Sequence, residues 1–270
     1  MVEQGGQGRR HRAGVSSMSK VIVEKNGPVK TVWMNRPEKR NALDSELLSN
    51  MIDALKAPVA ADDRVLVIRG KGDVFCAGLD MAERSKSAGD GKASGIEIML
   101  RAIELCPLPV VGVVHGDAIA GGNELALHCD LVVASHKARF GMSLAQVGLA
   151  PNWFLAKKLM EVLGPVTTRE MLLLGDPLPS TKLHALGLIA RCVPHAVLET
   201  EASKVIDRLA ANAPLSLKAM KMLTVRQLEF RDAIPHDDVD AAVRAAMQSQ
   251  DAQEGMKARL EKRTAKFQGK

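Results

Sequence analysis

An α/β fold is predicted by three features of this 270-residue sequence. Short apolar runs, VLVIRG at 65–70, PVVGVVHG at 109–116 and DLVVAS at 130–135, alternate with stretches of helical periodicity. Their near-continuous apolarity is that of strands covered on both faces, which places helices against a largely parallel sheet. Beyond residue 150 the pattern turns mainly helical. With 46% hydrophobic and 25% charged residues, the chain is long enough for one large domain with an appended segment. We divide it into a leader at 1–18, a core at 19–200 and a helical C-terminal region at 201–270.

The elements follow in order. The leader carries Gly, Gln and Arg without apolar periodicity or a signal-peptide core, so it is expected to lack fixed structure, and Met18 is a candidate start of translation. VIVEKNGPVKTVWMN reads as two strands around an Asn-Gly-Pro turn. Leu43, Leu47, Leu48, Met51, Ile52 and Leu55 recur at helical spacing, with Asp44 or Ser45 as N-cap. After the strand at 65–70, the Ser/Gly/Lys-rich ERSKSAGDGKASG at 83–95 predicts a mobile surface loop. IEIMLRAIELC reads as a helix, NELALHC as a short one, and LIARCV as a late strand among five amphipathic helical stretches.

Composition narrows the function. The net charge is +6 and the basic residues gather at the two ends, yet aromatic content is 3% and tyrosine is absent, so base stacking on nucleic acid is poorly supplied. The same field would draw an anionic small molecule. No apolar run approaches the roughly 18 residues that span a bilayer. Cys76, Cys106, Cys129 and Cys192 show neither C-x-x-C nor disulfide-framework spacing, which argues for a reducing cytoplasm and against a metal site. Neither G-x-S-x-G, a P-loop nor a strand-linked G-x-G-x-x-G occurs.

Two strand ends share one design. VLVIRGKGDVFCAGLD runs from a strand into Ala77–Gly78, and VVGVVHGDAIAGGNEL runs from a strand into Gly121–Gly122 and a helix. Small residues let backbone approach a ligand closely, and two such turns side by side would aim two N–H groups at one oxygen. Glu124 follows the second turn, and His128 lies four residues further, where both can share a helix face. His128 reads as a core or supporting histidine rather than a metal ligand, since no further ligands are in view.

The segments MNRPEKRNAL, FCAGLD, HGDAIAGGNELALHCD and ARFGMSLAQVGLAP, in this order and followed by a helical tail, resemble the crotonase, or enoyl-CoA hydratase/isomerase, superfamily from about residue 20 onwards. The resemblance implies a spiral of ββα units with a helical C-terminal trimerisation region, assembly as a homo-trimer or dimer of trimers, and an acyl-CoA thioester as substrate with no separate cofactor. It implies an oxyanion hole made by the N–H groups of Leu79 and Gly121, with Glu124 as the catalytic acid or base. Around them, Ala77, Gly78, Asp80 and Gly122 would line the thioester site, and Arg40 would meet the coenzyme A phosphates.

The pattern also breaks. Counted without gaps from Phe140 to Pro151, the position of the second hydratase glutamate holds Leu144 after Ser143, and the glycine expected after Pro151 is Asn152, followed by Trp153. Three outcomes stay open at this point: a one-base isomerase, a hydratase or hydrolase with a relocated partner for which Asp117 is the candidate, and a coenzyme A- or RNA-binding relative with little or no catalysis.

Overall fold

The structure is a computed structural model that describes residues 19–84 and 95–270. The leader at 1–18 and residues 85–94 of the predicted loop lie outside the described residues. β1 (Val21–Asn26) and β2 (Val29–Met34) form the expected hairpin, turning at Gly27 with φ +53°. α1 (Ser45–Lys56) is capped by Asp44, whose Oδ1 accepts from Leu47 N–H at 2.8 Å, so Asp44 rather than Ser45 is the N-cap. β3 (Val65–Gly70), α2 (Met81–Arg84) and α3 (Gly95–Glu104) follow, then β4 (Val110–Val114), the two-residue β5 (Ala118–Ile119) and α4 (Gly121–Leu127).

The second half adds β6 (Leu131–Ser135), β7 (Arg139–Gly141), α5 (Trp153–Arg169), β8 (Leu178–Pro179), α6 (Ser180–Ala185), β9 (Arg191–Val193) and the helices α7 (Leu198–Ala210), α8 (Pro214–Leu228), α9 (Asp237–Gln248) and α10 (Gln250–Leu260). α5 is broken at Gly164 (φ +67°) and Pro165, and a π-helical turn at Glu170–Leu174 then ends on Gly175 (φ +75°). The two stretches read separately from sequence are two helices that meet at this kink, since Gly164 leaves helical geometry (φ +67°, ψ 174°) and Pro165 cannot donate the helix bond.

Six strands form one sheet in the order β1-β2-β3-β4-β6-β9, parallel apart from the first hairpin. β3 shows why its strands read as unbroken apolar runs. Leu66 and Ile68 point into the main core with α1 and α3, whereas Val65 and Val67 point to the other face, where Leu198, Ala202 and Ile206 of α7 cover them with Val111, Val113 and Val133. The sheet is sandwiched between helices, as its composition requires.

A second sheet, β5-β7-β8, leads through β5 into α4. It was not legible in sequence, because strands of two or three residues show no periodicity. α8 and α9 bury no residue of their own, and Leu215, Met220, Met222, Leu223 and Phe230 are all more than half exposed. α10 returns to the body: Ala252, Gly255 and Ala258 are buried, and a Cβ on Gly255 would run into the Val147 backbone.

Candidate active site

The two glycine turns meet. A parallel bridge joins Cys76 to Ala118, with Ile119 N–H donating to Cys76 O at 2.9 Å and Cys76 N–H to Asp117 O at 3.2 Å. Gly78 takes φ +89°, and a Cβ there would lie 3.0 Å from Gly121 N and 2.9 Å from Ile119 O. Glycine is required at this point for conformation and for the close approach alike. Gly122 is required for packing, since its Cβ would collide with Cys76 O. Leu79 is threaded past Leu43 by Leu43 N–H to Gly78 O (2.8 Å) and Asp80 N–H to Leu43 O (3.0 Å), and Ala77 N–H donates to Arg40 O at 3.0 Å. Among the described residues neither Leu79 N–H nor Gly121 N–H has a hydrogen-bond partner.

Two supports of this geometry were not singled out from sequence. Ala120 sits at φ +49°, ψ −116°, outside the regions an L-residue ordinarily occupies, and is held there by its N–H donating to Gly141 O at 2.7 Å. Such a residue stores of order 1–3 kcal/mol of strain. That twist turns the chain from β5 into α4. Asn41 is fully buried with φ +53°; its Nδ2 donates to Lys71 O and Val74 O, each at 2.8 Å, and its Oδ1 accepts Arg36 N–H at 2.9 Å. This clamp shapes the loop that delivers Ala77 and Gly78. The signal in the sequence is an asparagine inside RNAL, since Asn tolerates positive φ and bonds backbone.

Glu124 lies one turn into α4, all seven residues of which are buried. Neither carboxylate oxygen has a hydrogen-bond partner among the described residues. Burial therefore pushes its pKa well above the ordinary carboxylate value; Lys158 opposes this and Glu104 adds to it. His128, also completely buried, donates from Nδ1 to Glu124 O at 2.7 Å, and Nδ1 lies 3.7 Å from Glu124 Oε2. A carbonyl can only accept, so the proton sits on Nδ1 and Nε2 is left bare and without a partner. Burial, reinforced by Lys158, lowers the imidazole pKa to about 3, so the ring is neutral. Behind it, Lys158 contacts Glu104 at 2.6 Å and Glu161 at 3.7 Å.

The remaining expected residues are placed as follows. Asp117 is gripped in a fork by Arg139, with Nε to Oδ1 at 3.0 Å and Nη2 to Oδ2 at 2.6 Å, and no contact joins it to Glu124 among the described residues. Arg40 is exposed, with Nη2 3.9 Å from the same carboxylate. Asp80 pairs with Arg36 at 2.7 Å, which holds its carboxyl below the usual range. Leu144 is partly buried, packed between the main core and the Val147, Leu149 and Ala252 cluster. Asn152 caps α5 through Leu155 N–H (3.0 Å) and donates to Glu97 at 2.6 Å. Trp153 stacks flat on His236, ring centres 4.4 Å apart.

A family model described as enoyl-CoA hydratase/isomerase matches residues 24–270. The chain belongs to this family. As an enoyl-CoA hydratase/isomerase family member it is 32% identical over 271 residues to enoyl-CoA hydratase EchA19 of Mycobacterium tuberculosis, covering 96% of this chain and 100% of that protein. An enoyl-CoA hydratase structure from Mycobacterium avium subsp. paratuberculosis superposes with a TM-score of 0.80 at 28% identity, over 92% of this chain and 98% of the other. A methylmalonyl-CoA decarboxylase in complex with 2-nitronate-propionyl-CoA gives 0.85 at 25% identity, over 93% and 99%. The crotonase fold expected from the motifs is therefore the fold of this chain, and the protein is an acyl-CoA enzyme of the hydratase/isomerase type. Among the described residues no helix is long and apolar enough to cross a membrane.

Proposed function

We propose that the chain binds an enoyl-CoA thioester with its carbonyl oxygen between Leu79 N–H and Gly121 N–H, and that Glu124 alone moves the proton, shifting the double bond without adding water. The observation that carries this reading is the buried, unbonded carboxylate of Glu124 set one helical turn beyond the free Gly121 amide. Two fixed N–H donors stabilise charge on the oxygen as the thioester becomes an enolate. A desolvated carboxyl has its pKa moved toward neutrality, where it can both take and return a proton.

Leu144 is what favours isomerisation over hydration. An apolar side chain stands where a second carboxylate would activate water, and Asp117, the other candidate, is neutralised by Arg139. The same leucine favours the second reading, a coenzyme A-binding relative with little turnover. Arg40, with Ala77, Asp80 and the Gly78 and Gly122 turns, would frame the coenzyme A side. Enolate formation needs no redox group, so the thioester is the only small molecule the reading calls for.

The exposed apolar residues of α8 and of the turn after it support a homo-trimer or dimer of trimers built through the C-terminal region. Four free cysteines fit a reducing cytoplasm. The deciding experiment incubates the protein with a 3-enoyl-CoA and a 2-enoyl-CoA in deuterated water and follows mass and proton NMR. Double-bond migration with deuterium uptake and no gain of water is the expected result. A hydrated product would overturn the one-base reading, and binding without turnover would favour the second.

A further inference from the structure

His128 has more than a structural bond. Its Nδ1 faces Glu124 and its Nε2 is buried, bare and unpartnered. His128 also lines a cavity of about 180 Å³ that Glu124 does not line, together with Glu104, Lys157, Lys158, Glu161 and Thr224. At ~30 Å³ per water, such a cavity holds several waters, and its polar lining favours them. Glu161 Oε1, buried in the same wall, also lacks a partner. Phe154 stacks on the imidazole at 5.5 Å and 29°, fixing the plane of the ring between the two sides.

We propose that His128 passes protons between Glu124 and this outer cavity, so that the carboxyl exchanges with solvent while substrate covers its other side. This rests on reading Glu124 as the acid/base. Inward, the Nδ1–H bond breaks as that proton joins a Glu124 carboxylate oxygen, and Nε2 takes one proton from the cavity; the ring stays neutral with its tautomer reversed. Outward, Glu124 gives its proton to bare Nδ1 as Nε2–H releases one. One proton moves and no other bond changes. The 3.7 Å gap closes by rotating the Glu124 carboxyl about its terminal torsion, which is soft. The ring's strongly lowered basicity keeps imidazolium from accumulating, so transfer is concerted rather than stored. The charges facing the ring are Glu104 of α3, bonded to Arg101 at 3.2 Å, and Lys157, Lys158 and Glu161 of α5, with Lys157 paired to Asp232 at 2.6 Å.

The test uses a 3-enoyl-CoA dideuterated at C2 in ordinary water; one deuterium stays on C2 of the 2-enoyl product, and mass spectrometry with NMR reads how much of the other, abstracted label is returned at C4. Wild-type protein should lose most of that abstracted label at saturating substrate, where exchange after release is suppressed. His128→Asn keeps an N–H donor for Glu124 O but cannot relay; it should retain several-fold more of the abstracted label per turnover. Equal retention in wild type and His128→Asn, or full retention in wild type itself, overturns the relay; the second outcome needs no variant to fold. If Glu124→Gln turns over like wild type, the reading of Glu124 fails instead, and the two failures are told apart.

Discussion

Glu124 Oε2 lies 3.7 Å from Nδ1 of His128, and both side chains are fully buried, one kept neutral by a raised pKa and the other by a lowered one. The pair carries no net charge where a bare charge would be very costly. Each partner's protonation is therefore set by burial, which has consequences for activity and for stability.

Glu124→Gln removes the proton-carrying oxygen and preserves shape. Turnover of an enoyl-CoA should fall by about 10²–10⁴-fold, while binding of a saturated acyl-CoA, measured by calorimetry, should stay close to wild type. Undiminished turnover would sink the assigned role.

The same variant reports on pH. Glu124 is protonated in the fold at pH values where the unfolded chain, with an ordinary value near 4.5, has lost its proton. The folded state then binds more protons, so wild-type stability falls as pH rises above about 4.5 up to the folded pKa. His128 acts oppositely: between about 3 and 6.5 the unfolded state holds the extra proton, and stability is lost as pH falls. Each slope is about 1.4 kcal/mol per pH unit. Glu124→Gln should therefore gain in Tm relative to wild type as pH rises from about 4.5, by scanning calorimetry, and a pH-independent difference would contradict a buried neutral carboxyl.

Gly122→Ala puts a Cβ into Cys76 O, between two backbones that neither rotamer change nor side-chain movement can relieve. A loss of about 1–3 kcal/mol or more in urea unfolding is expected. Gly187→Ala is the control for close approach, since nothing lies within 4 Å of its Cβ and only its φ of +75° opposes the change.

Leu144→Glu puts a carboxylate at the position where the family resemblance expects the second one. Water addition to a 2-enoyl-CoA should rise from background, detected as a mass gain of one water. No rise would mean that Asn152, already bonded to Glu97, and Trp153, stacked on His236, keep water out by themselves.

Leu223→Glu, on the exposed face of α8, should lower the mass measured by light scattering from that of a trimer or hexamer toward that of one chain. A monomeric wild-type protein would dismiss the C-terminal assembly at once.

The sequence by itself determined the large sheet, the hairpin at its edge, the helices at 45–56 and 95–104, and the place of both glycine turns. These are written in periodicity, caps and small residues, which act over a few positions and survive in any context. It also raised Glu124 and Leu144 as the residues on which the proposed reaction turns. Only the tertiary structure decided that Gly78 and Gly121 touch, that Ala120 is twisted, that Asn41 clamps a loop thirty residues away, and that Arg139 claims Asp117. The β5-β7-β8 sheet and the Glu104, His128, Lys158 and Glu161 cluster belong to the same class. Each depends on segments far apart in the chain, and a carboxylate's acidity follows from how completely those segments exclude water, which no local pattern of residues records.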